Sequence, residues 1–104
     1  MVIKTKELAD KHGYFWPNQF ENEANAWIHE QTTGPEIVGA FQTASLPIDH
    51  FVCSYGTGGT LLGVGRYLRK HSPNTKIHVC EPRYVKDKSM SYTFVSSNCS
   101  YLHL

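Results

Sequence analysis

The run Gly56-Thr57-Gly58-Gly59-Thr60 constrains this chain more than any other stretch, because it joins a short apolar segment to an amphipathic one. Ile48 to Tyr55 reads as a buried strand. From about Leu61 to His71, the residues Leu61, Val64 and Leu68 share one helical face, opposite Arg66, Arg69 and Lys70. Ser72-Pro73-Asn74 ends that helix, Lys76 to Cys80 alternates as a second strand, and Glu81-Pro82 stops it. A strand, helix, strand unit of this kind gives parallel strands joined by a right-handed crossover. The expected fold class is therefore α/β, with a short parallel sheet and flanking helices.

The glycine-rich turn has a physical use. Glycine lets the backbone approach a ligand closely and adopt positive φ. The helix that follows offers free N–H groups and the positive end of its dipole, for which an anion is the natural occupant. Thr57 and Thr60 add hydroxyl donors, so a phosphate monoester can be held by neutral dipoles without a lysine. Two familiar phosphate loops are excluded. The nucleoside-triphosphate loop needs a Gly-Lys pair, and the chain has none. The dinucleotide fingerprint fails because Leu61 stands where its third glycine belongs. The plain alternative is a tight turn that packs a helix on a sheet and binds nothing.

Upstream, residues 3 to 12 read as a helix stopped by Gly13. Tyr14-Phe15-Trp16 reads as a brief strand closed by Pro17. Phe20 to Glu30 is compatible with a helix or an ordered loop, since its asparagines weaken helical preference. Thr33-Gly34-Pro35-Glu36 has the spacing of a capping box, which predicts a helix starting at Thr33, with Pro35 in its first turn and Ile37, Val38 and Phe41 on one face. Trp16 and Trp27 are expected in the core. Beyond Pro82 no period of 3.6 or 2 persists, so residues 83–104 are expected to form a poorly structured tail beside a unit spanning 1–82. At 104 residues the chain makes one small domain with a marginal core.

A formal net charge of +1 implies neither nucleic acid nor an anionic membrane as partner. The six histidines, at 12, 29, 50, 71, 78 and 103, show no metal-ligand spacing, so no metal site is expected. Three cysteines do not make a disulfide framework; Cys53 and Cys80 read as buried strand thiols and Cys99 as a tail thiol, in a reducing compartment. Lys4, Lys6 and Glu7 interrupt any signal-peptide run, and no apolar stretch reaches the ~20 residues of a membrane helix. The expected location is cytoplasmic, or an organelle if an N-terminal segment is missing.

Four motifs appear in order: Gln19-Phe20-Glu21-Asn22 with Ala24-Asn25, then Thr32-Thr33-Gly34-Pro35-Glu36-Ile37, then Gly56 to Thr60, then Gly63-Val64-Gly65-Arg66-Tyr67-Leu68. Together they resemble the cysteine synthase and cystathionine β-synthase group of fold-type II pyridoxal-phosphate enzymes, over roughly residues 5 to 82. The resemblance implies that Gly56, Thr57, Gly58, Gly59 and Thr60 wrap the 5′-phosphate of pyridoxal 5′-phosphate, and that Gln19 lines the pocket near the substrate carboxylate. For Gln19 the alternative is a satisfied polar residue beside a packed Phe20. The implied parent is a homodimer that takes a small amino-acid substrate, eliminates the β-substituent of O-acetylserine and adds sulfide to give cysteine. Glu23 and Ala26 stand where the family commonly has proline, and Phe15-Trp16-Pro17-Asn18 is closer to a cysteine-desulfhydrase-like branch, which leaves that lyase as the alternative.

The family's Schiff-base lysine, its asparagine loop for the substrate carboxylate, and its group facing the pyridine nitrogen have no match in this chain. The lysines at 4, 6, 11, 70, 76, 86 and 88 do not correspond to the first of these. The expectation is a fragment with a phosphate cradle, no catalytic residue and no catalysis of its own. It is either part of a longer enzyme, a non-catalytic anion-binding or partner module, or a gene-model fragment, with exposed apolar surface.

Overall fold

The structure, a computed structural model, describes residues 2–84 and 90–95. The first element is α1 (Val2–His12). It ends as expected at Gly13, whose φ is +67°, and Tyr14 N–H reaches back to Ala9 O at 3.1 Å in the pattern of a left-handed helix stop. Tyr14 to Asn18 then run without regular structure, which corrects the expected strand: Tyr14 and Phe15 are exposed and find no pairing partner.

Helix α2 (Ala24–Ile28) leads without interruption through a π-helical turn (His29–Thr33) into α3 (Gly34–Thr43). This overturns the capping box. Thr33 has φ −59° and ψ −44°, already helical, and makes no cap hydrogen bond with its side chain. Pro35 has no N–H to give the carbonyl four residues back, and a wide turn absorbs that loss. Gly34 N–H bonds His29 O, five residues earlier. A Cβ on Gly34 would stand 2.6 Å from Tyr67 Cβ, so this glycine sets a close helix-to-helix approach. Trp27, expected in the core, is exposed, whereas Ala26 beside it is buried.

Strand β1 (His50–Ser54), α4 (Gly59–His71) and β2 (Lys76–Tyr84) form the expected strand, helix, strand unit, except that β2 runs through Glu81-Pro82 instead of stopping there. β1 and β2 are parallel, with His50 opposite Lys76 and Ser54 opposite Cys80. β2 also pairs antiparallel with β3 (Met90–Val95), giving the order β1-β2-β3. Residues 83–84 and 90–95 are thus strand where the sequence reading has a structureless tail. Positions 85–89 and 96–104, including Cys99, lie outside the described residues.

The core sits where α4 meets its neighbours. Val64 and Leu68 pack with Val38 and Ile48, and Leu61 packs with Ile77 and Val79 on the sheet. All three predicted α4 positions are at most 1% exposed. Thr75 Oγ1, also buried, donates to Ile48 O at 2.8 Å and ties the entry of β2 to that of β1. Cys53 and Cys80 are free and half-buried rather than buried.

Candidate functional site

The turn between β1 and α4 places backbone donors at one end of the sheet. Gly58 is the N-cap of α4 with φ +84°, a left-handed conformation that L side chains rarely adopt. Leu62 N–H makes the first helical bond, to Gly58 O at 2.9 Å, and Gly59 N–H reaches Thr57 Oγ1 at 3.4 Å. The N–H groups of Gly56, Thr57, Gly58, Thr60 and Leu61 have no hydrogen-bond partner among the described residues. Such a set, at the start of a 13-residue helix, carries the partial positive charge of the helix end.

A shallow cleft of about 50 Å³ opens beside the turn. That is room for a few water-sized groups. Thr57, Gly59 and Leu62 line it together with Gln19, Asn22 and Asn25. Gln19 and two members of the predicted loop therefore share one cleft; Gly56, Gly58 and Thr60 lie on the turn outside its lining. Glu21 and Glu23 also border it, each already engaged: Glu21 accepts from Asn18 Nδ2 at 2.6 Å, and Glu23 pairs with Arg66 at 3.3 Å.

Two residues of this neighbourhood escaped the reading of side-chain roles. Asn25 bridges the two sides of the cleft, with Nδ2 donating to Gln19 O at 2.9 Å and to Thr57 Oγ1 at 2.8 Å. His29 sits between two hydroxyls, its Nδ1 2.8 Å from Thr33 Oγ1 and its Nε2 3.2 Å from Thr60 Oγ1. The His29 and Thr33 spacing of four was a usable signal, because such residues share a helix face. The π-turn that carries His29 is of a kind often found at functional sites.

The set fits a phosphate monoester: five N–H groups without a partner among the described residues, a positive helix end, the nearby Thr57 hydroxyl, and a glycine whose added Cβ would stand 3.1 Å from the Tyr55 ring. Among the described residues no group of three metal-capable side chains occurs.

The family model described as pyridoxal-phosphate dependent enzyme matches residues 2–95. Cysteine synthase of Staphylococcus aureus (strain Mu50 / ATCC 700699) is 53% identical over 81 residues, covering 78% of this chain and 26% of the relative. O-ureido-L-serine synthase of Streptomyces lavendulae is 46% identical over 76 residues, covering 73% of this chain and 23% of the relative. Among solved structures, a hydrogen sulfide-producing enzyme of Fusobacterium nucleatum superposes with a TM-score of 0.74 at 37% identity, over 85% of this chain and 27% of that one. The chain spans about a quarter of the length of the curated relatives it matches.

Proposed function

Because the chain belongs to the family of pyridoxal-phosphate dependent enzymes, we propose that Gly56 to Thr60 hold the 5′-phosphate of pyridoxal 5′-phosphate as part of a cysteine synthase-like enzyme. That enzyme replaces the β-substituent of O-acetylserine with sulfide to give cysteine. The observation that carries the reading is the row of unpartnered N–H groups opening α4 at the left-handed Gly58. These amides bind the anion through neutral dipoles, and the Thr57 hydroxyl adds a donor. Gln19 is assigned to meet the substrate carboxylate, a role that its position in the lining of the same cleft supports. When bound, the cofactor supplies an electron sink for bond changes at the substrate.

No catalytic residue is assigned within this chain. The reading extends to a homodimeric parent acting in the cytoplasm on a small amino-acid substrate, with neither nucleic acid nor membrane as partner. No helix among the described residues is long and apolar enough to cross a membrane. The hydrogen sulfide-producing neighbour supports a second reading, a desulfhydrase-like lyase built on the same cradle.

Thermal unfolding of the purified chain tests the cradle. Pyridoxal 5′-phosphate and inorganic phosphate should each raise Tm, by linkage of about 2.7 kcal/mol when ligand exceeds Kd a hundredfold. Pyridoxal, which lacks the phosphate, should not. Gly58→Val should abolish the shift, and no shift in the unmodified chain at millimolar ligand would overturn the reading. Borohydride reduction in the presence of pyridoxal 5′-phosphate should label no single lysine stoichiometrically; one labelled lysine together with β-elimination activity would restore catalysis to the chain.

A further inference from the structure

Asn25 stands second in α2, and its side-chain amide orientation is fixed by what it touches. Gln19 O, 2.9 Å away, has no hydrogen to give, so the amide nitrogen and not the oxygen must face it. The second hydrogen of that nitrogen goes to Thr57 Oγ1 at 2.8 Å. The amide oxygen is left against Gly59, where an added Cβ would collide with it. Thr57 Oγ1 also receives the Gly59 N–H at 3.4 Å. A hydroxyl has two acceptor positions and one hydrogen. With both acceptor positions taken, the Thr57 hydrogen must leave in the remaining direction, and no described residue receives it. Thr57 and Asn25 both line the cleft.

We infer that Asn25 is a positioning residue that fixes the Thr57 hydroxyl as a hydrogen-bond donor toward the bound anion and ties the Gln19 segment to the phosphate-binding turn. This rests on the reading of Gly56 to Thr60 as a phosphate cradle and names the group that orients it. Alanine at 25 frees the hydroxyl to rotate. Aspartate keeps the shape but reverses the bond, because a carboxylate only accepts and so captures the Thr57 hydrogen.

The test is a double-mutant cycle on the full chain, with the Kd for inorganic phosphate measured by calorimetry. Thr57→Val should weaken binding about tenfold, the effect of one charge-assisted hydrogen bond. Asn25→Ala should weaken it by nearly as much, and the double variant should bind no worse than Thr57→Val alone, since Asn25 acts through that hydroxyl. If Asn25→Ala fails to fold, Asn25→Asp takes its place: its loss should be larger with Thr57 present than with Thr57→Val. Losses that multiply independently, or no loss on replacing Asn25, would overturn the inference while leaving the cradle standing. Failure of the unmodified chain to bind phosphate would overturn the cradle itself, and this inference with it.

Discussion

Helices α4 and α1 have similar lengths, 13 and 11 residues, and both finish on basic side chains, Arg69-Lys70-His71 and Lys11-His12. Yet α4 buries six residues, whereas every described side chain of α1 from Ile3 onward is exposed except half-buried Ala9. Leu8, the central apolar residue of α1, is 44% exposed; Leu68 of α4 is 1% exposed. Local signals are thus sufficient to write both helices, but only one is held by its surroundings. α1 buries almost nothing and so contributes little to the core, and a helix of its length is marginal in water on its own.

This contrast can be broken most sharply at Leu68. Leu68→Ala should lower unfolding free energy by about 2–5 kcal/mol in a urea titration, because it opens a cavity among Val38, Ile48 and Val64. Next comes Gly63→Ala. Its Cβ would collide with Ala26 O and stand 2.6 Å from His29 Cβ and 2.8 Å from Glu30 N, so forcing α4 away from α2 and the π-turn should cost about 1–3 kcal/mol by the same titration.

A smaller effect is expected under α4 at Cys53, whose thiol is pushed above its usual range by burial and, secondarily, by Cys80. The unfolded thiol ionises first, so stability should be unaffected below the ordinary thiol range and should fall as pH rises through it toward the higher folded value. Titrating urea midpoints of the native chain against Cys53→Ser should reveal an alkaline fall that the variant lacks. At the other extreme, Leu8→Ala in α1 should change stability by less than about 0.5 kcal/mol, and a large loss there would mean α1 is anchored after all.

The unit from β1 to Cys80 was legible because three independent signals agree on it: an apolar run, glycine punctuation, and an apolar stripe of period 3.6. Thr33 shows the limit of such signals. Its spacing to Glu36 is that of a helix start, but a cap requires a non-helical residue, and the chain is already helical from Ala24 onward. The segment from Phe20 to Glu30 leaves helix and ordered loop open, since α2's stability comes from packing on α4 rather than from propensity. Tyr14 to Trp16 misled for the opposite reason, having strand-like side chains with no strand to pair. β3 does alternate, with Met90, Tyr92 and Phe94 against Ser91 and Thr93, but only over five residues beyond an unpatterned stretch, too short a run to stand out before its antiparallel pairing to β2 is seen. At the site, the glycine turn was readable from its chemistry. The role of Asn25, and that of His29 beyond its local contact with Thr33, were not, because each depends on a partner more than thirty positions away, Thr57 and Thr60 respectively.

Twelve positions separate Ala26 from Val38, and on an unbroken α-helix they would stand about 120° apart. The surplus residue taken up at His29–Thr33 rephases the rod, leaving them only about 20° apart, so that both are buried where α2 and α3 meet α4. An eleven-residue spacing without the wide turn would give the same alignment. Helical phase is therefore indifferent to whether that surplus residue exists. Deleting Gln31 would leave the buried stripe in step, but it would remove the wide turn that accommodates Pro35 and release the imidazole from its two hydroxyls.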